Sequence, residues 1–142
     1  MSELVVDASV AVKWFILEVD RDKANAILRS DSTLLAPRLI VSEVANALAR
    51  KVGQELVAIC DAAEYVSSLP VLFSKLLDTD NLIGPAFDNA CSHRHPIYDF
   101  IYLEAARNRN TQMVTADSRF IERLVGSPLA RFVMPLSDWQ PA

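Results

Sequence analysis

Apolar runs of three or four residues alternate along this chain with longer stretches of helical period, and that alternation limits the fold more than any other feature. The runs cover residues 4–6, 33–36, 71–73, 112–115 and 131–134. Between them the apolar spacing predicts helices over 10–17, 22–29, 38–52, 55–69, 79–92, 97–109 and 118–125. The helix over 38–52 is the clearest, with Ile40, Val41, Val44, Leu48 and Val52 on one side and Gly53 at its end. Pro37 and Pro70 close the segments before them. Pro85 falls inside a helical pattern, so that helix is kinked or starts later. Strands that alternate with helices form a parallel sheet through right-handed crossovers. The expected fold class is therefore α/β, with a central parallel sheet of about four to five short strands. At 142 residues the chain is expected to be a single domain, residues 1–142.

Composition narrows the function classes. Three glycines are too few for the turn density of an all-β chain. The opening MSELVV carries an acid where a signal peptide carries basic residues, and no apolar run has the length of a membrane span. A soluble cytoplasmic protein is expected, with no membrane partner. Cys60 and Cys91 match neither a disulfide framework nor a paired metal motif and are expected to be buried free thiols. Trp14 and Trp139 are assigned to core or interface, and Lys13 to solvent. A net charge of −4 excludes a protein that coats nucleic acid through many cation–phosphate contacts. It leaves room for an enzyme that grips a short stretch through bound cations and a few arginines.

Four carboxylates stand where strands end and helices begin: Asp7, Glu43, Asp99 and Asp117. In a parallel α/β sheet the carboxyl ends of strands and the amino ends of the following helices share one edge, where such folds keep their sites. Each acid also has a structural reading. Asp7 and Asp117 are good N-caps, and Asp99 complements a helix dipole. Glu43 borders an apolar stripe and is harder to explain in that way. Two unit charges about 5 Å apart repel by roughly 3 kcal/mol at an effective dielectric near 20. Four clustered carboxylates therefore need protons or cations, and hard oxygen ligands select Mg²⁺ or Mn²⁺. Such ions beside a groove favour phosphodiester hydrolysis. Ser9 and Thr115 can support a carboxylate. Asn46 and Arg50 share Glu43's helical face, from which Arg50 can reach a substrate phosphate. His93 and His95 are assigned to surface or capping roles.

At these residues the chain resembles the PIN-domain ribonucleases, and among them the VapC-type toxins of toxin–antitoxin pairs. The resemblance runs in order through VVDASVAVKWFILE, LAPRLIVSEVANALAR, HPIYDFIYLEAARNRN and MVTADSRF. It implies a PIN-like three-layer α/β/α fold. It carries the family's catalytic and metal-binding acids onto Asp7, Glu43, Asp99 and Asp117, and its small hydroxyl positions onto Ser9 and Thr115. It further implies an Mg²⁺- or Mn²⁺-dependent endoribonuclease acting on structured RNA such as tRNA or rRNA, a homodimer, and a small antitoxin as partner. Pro85 departs from a segment that the family usually keeps helical. The alternative is a catalytically silent PIN-like module that binds protein or RNA.

Overall fold

The computed structural model describes residues 2–141. Its centre is a five-stranded, fully parallel sheet: β1 (Glu3–Val6), β2 (Thr33–Pro37), β3 (Lys75–Leu77), β4 (Met113–Thr115) and β5 (Val133–Pro135), in the order β3-β2-β1-β4-β5. Val5, Val6, Leu35, Ala36, Met113 and Val114 are all buried, which is what a sheet covered on both faces requires.

Among the described residues, seven α-helices flank the sheet: α1 (Ala8–Ala11), α2 (Arg21–Arg29), α3 (Leu39–Gly53), α4 (Ile59–Ser68), α5 (Ile83–His93), α6 (Ile97–Asn108) and α7 (Ser118–Arg123). From β1 to β3 the chain steps outward in one direction. It then crosses back over β2 and β1 to reach β4. With right-handed crossovers, reversing direction moves the connecting helices to the opposite face. α1 to α4 thus lie on one side and α5 to α7 on the other. The contact of Phe100 in α6 with Phe120 in α7, ring centroids 5.1 Å apart, joins the second layer. Trp14 caps the first, donating from its indole nitrogen to the Ala24 carbonyl at 2.9 Å. Trp14 and Trp139 are both core residues.

Several local expectations change. The third strand is Lys75–Leu77 rather than 71–73. Pro70 starts a 3-10 turn over Leu69–Leu72, Phe73 turns inward onto Trp14, and the ladder begins only at Ser74, whose N–H donates to the Leu34 carbonyl at 2.9 Å. The helix expected from residue 55 begins at Ile59. Glu55 instead closes α3 with positive φ, while its own N–H reaches Val52 and that of Leu56 reaches Lys51, the paired bonds of a Schellman turn. α5 starts later than residue 79, at Ile83. Pro85 therefore sits in its first turn, where the missing N–H has no helical partner to lose. Cys60 and Cys91 are exposed, because α4 and α5 turn Ala62 and Ala86, not the cysteines, toward the core.

Candidate active site

β1 and β4 are neighbours, and the chain leaves them in opposite directions across the sheet. Such a reversal opens a crevice beyond the strand carboxyl ends. Asp7 follows β1 directly, and Asp117 follows β4 by two residues. The Asp7 N–H donates to the Val114 carbonyl at 3.0 Å and stitches the two strand ends together. Glu43, on the second turn of α3, and Asp99, on the first turn of α6, enter the crevice from opposite layers. All four carboxylates line one cleft of about 490 Å³, which Ser9, Asn46 and Arg50 also line.

Each acid has one oxygen held by the protein. Asp7 Oδ2 accepts from Ser9 Oγ at 2.5 Å, Thr115 Oγ1 at 2.9 Å and the Ser9 N–H at 3.4 Å. Glu43 Oε1 accepts from the Tyr102 hydroxyl at 2.7 Å. Asp99 Oδ2 meets His95 Nε2 at 2.7 Å. Asp117 Oδ1 accepts the Arg119 and Phe120 N–H groups at 3.0 and 3.2 Å. Among the described residues, the other oxygen of each carboxylate takes no N–H or hydroxyl donor. Asp7 and Asp117 are thus N-caps and cleft acids at once, so the two readings of these residues do not compete.

The electrostatics follow from burial and crowding. Burial, aided by the charges of Asp7 and Asp117, a side-chain hydrogen bond with Asp117 and the charge of Glu43, pushes the Asp99 carboxyl up to about 9. Burial also raises Asp7, against the hydrogen bonds from Ser9 and Thr115. Glu43 is raised by burial and partly restored by the Tyr102 hydroxyl. His95 is lowered, first by burial, with Arg123 and His93 adding to the effect against the attraction of Asp117. The close His95–Asp99 contact is therefore a neutral pair, with the proton on the carboxyl. That assignment follows from four acids sharing one poorly solvated space.

A divalent cation fits this donor set. Four carboxylates supply hard oxygen ligands to one cleft, and crowding and burial there push the Asp99 carboxyl up to about 9 in the metal-free protein. The tightest group is His95, Asp99 and Asp117, with one ligand atom from each lying within 4.8 Å of the others. His95 is thus a site residue and not a surface or capping histidine; its ring is 8% exposed. The Schellman turn that ends α5, with the His95 N–H on the Ala90 carbonyl at 3.1 Å, delivers it there. The four-residue spacing to Asp99 was the only trace of this in the sequence. Tyr102, one turn past Asp99 on α6, was also missed, as was a group of arginines. Lys13 is not solvated: it is buried and pairs with Glu18 at 3.4 Å on the wall of the cleft.

The family model of the PIN domain matches residues 4–124. This chain belongs to the PIN-domain family. PIN domains are generally metal-dependent nucleases with an acidic site. The crystal structure of PAE2754 from Pyrobaculum aerophilum shares the fold at a TM-score of 0.69 and 20% identity, over 96% of this chain and 85% of that chain. No curated protein matches it. Among the described residues of the PIN domain, no helix is long and apolar enough to cross a membrane.

Proposed function

We propose that this chain, read as one PIN domain over residues 1–142, is an Mg²⁺- or Mn²⁺-dependent endoribonuclease. In this reading it is the VapC-type toxin of a toxin–antitoxin pair, works in the cytoplasm, cleaves structured RNA such as tRNA or rRNA, and is restrained by a small antitoxin. The observation that carries the nuclease reading is that Asp7, Glu43, Asp99 and Asp117 line one cleft, each with one oxygen held by a neighbouring group. A silent binding module has no use for four acids held at this electrostatic cost.

A bound divalent cation supplies neutralisation of phosphate charge and acidification of water. The chain's own residues prepare the site for it. Ser9 and Thr115 hold the buried Asp7, Tyr102 orients Glu43, and the α7 N–H groups fix Asp117. Asp99 and Asp117 would hold the cation, with His95 set against Asp99 at 2.7 Å. Asn46 and Arg50 line the cleft beside Glu43 and meet a substrate phosphate there. A homodimer is supported by the exposed Leu56 in the turn after α3 and Ile59 at the start of α4, apolar side chains that a second copy would cover.

The test is cleavage of total tRNA by purified, antitoxin-free protein, with and without EDTA, beside Asp99→Asn. Cleavage that needs Mg²⁺ or Mn²⁺ and is lost in the variant is expected. Metal-independent cleavage, or none with either ion, refutes the nuclease assignment. A toxin further arrests growth when expressed without its partner, and sedimentation reads the dimer.

A further inference from the structure

Asp99 and Asp117 form a wall between two clefts. On one side is the cleft that holds Asp7 and Glu43. On the other lies a cleft of about 580 Å³ lined by Arg94, Arg119 and Arg123. Apart from the two shared acids, the first has Lys13 and Arg50 against Asp7, Glu18 and Glu43. The second has those three arginines against Glu122 alone. None of the three arginines makes an ion pair among the described residues, although Arg38, Arg107 and Arg109 do. Lys13, by contrast, is tied to Glu18.

Their placement is built from two elements. Arg119 and Arg123 are four residues apart on α7 and so share one face. Arg94 is the left-handed residue of the turn ending α5, with φ 50° and ψ 52°, a position where glycine or asparagine is favoured. The same turn that sends His95 into the acid cluster holds Arg94 at the rim of the second cleft. Three arginines along a cleft whose wall is the acid cluster suit an anionic chain whose reacting phosphate lies at that wall.

We propose that Arg94, Arg119 and Arg123 form a second binding arm that holds backbone phosphates of single-stranded RNA on one side of the cleaved bond, while the strand crosses the Asp99–Asp117 wall. The arm rests on the nuclease reading for its substrate, but its test does not require cleavage. Binding of a short labelled single-stranded RNA is followed by anisotropy in EDTA across a salt series, for the parent protein, Arg94→Gly, Arg119→Ala, Arg123→Ala and the triple variant.

Each phosphate contact on a single strand contributes about 0.7 to the slope of log affinity against log salt. The triple variant is expected to lose about 2 from that slope. Lysine at the three positions restores most of it. Arg94→Gly relieves a left-handed arginine, so it melts at or above the parent temperature while binding RNA more weakly. A purely structural arginine would give the opposite melting result. Unchanged slopes in all variants, or no RNA binding by the parent protein, overturn the arm. An acidic peptide that loses affinity in these variants while RNA does not reassigns the cleft to a protein ligand. RNA binding through the arginines with no metal-dependent cleavage removes the nuclease reading and leaves the arm standing. Cleavage that ignores the arginines does the reverse.

Discussion

Replacing Asp99 by asparagine is expected to stabilise the metal-free protein at neutral and alkaline pH and to remove a pH dependence that the parent shows. The folded Asp99 carboxyl titrates near 9 and an unfolded one near 3.8. Between these values the native state holds a proton that the unfolded chain has released. Stability is therefore full at low pH, falls as pH rises from about 4, and levels off above about 9. The limiting slope is about 1.4 kcal/mol per pH unit. An independent figure comes from geometry. Ionised Asp99 and Asp117 oxygens at the 4.8 Å limit repel by about 3.5 kcal/mol at an effective dielectric of 20. Asp99 is 17% exposed and shares its proton demand with neighbours, so about 2 kcal/mol is expected to survive screening. For a chain of this size that is about 6–8 °C in melting temperature. Asparagine keeps its side-chain hydrogen bonding to His95 without the charge. Scanning calorimetry of parent and variant in EDTA at low salt, from pH 5 to pH 8, should show the variant's advantage growing with pH. A gap that does not change with pH, or a variant less stable at pH 8, would mean that Asp99 is an ordinary ionised partner of His95 and that the crowding argument is wrong.

Three further outcomes follow from the same geometry. Mn²⁺ binding should expel the Asp99 proton, so affinity rises up to tenfold per pH unit between pH 6 and pH 8; titration calorimetry in buffers of different ionisation enthalpy counts the proton, and no release contradicts the neutral pair. Asp117→Ala should be less stable than Asp117→Asn by about 1 kcal/mol, because only asparagine still caps α7, while both lose cleavage; equal melting temperatures would remove the capping role. Tyr102→Phe should shift the acid limb of metal-dependent cleavage to higher pH, since the hydroxyl is what holds the Glu43 carboxyl down, and an unmoved limb would show that this hydrogen bond does not tune the site.

These variants also refine what the residues alone implied. From the sequence, removing any of the four acids relieves repulsion. The structure separates them: Asp99 is chiefly a source of repulsion, Asp117 caps a helix, and Asp7 accepts three hydrogen bonds from Ser9 and Thr115.

Strand and helix period, the four acids and their assignment to one sheet edge were legible in the chain, because each depends on residues within a turn or two of one another. β1, β2, α2, α3 and α6 fall within about one or two residues of their expected bounds for that reason. The errors were local competitions that periodicity does not resolve. Phe73 belonged to the core and not to the ladder, and Glu55 adopted the left-handed turn that ends α3. Tertiary structure alone decided the rest. It put β4 beside β1, so that Asp7 and Asp117, over a hundred residues apart, share the switch-point crevice. It brought the Tyr102 hydroxyl to Glu43, His95 to Asp99, and Arg94 to the same cleft as Arg119 and Arg123. Burial and charge at a site depend on which strands become neighbours, and short-range pattern carries no record of strand order. The chain determined which residues had the chemistry; the order of the sheet determined which of them met.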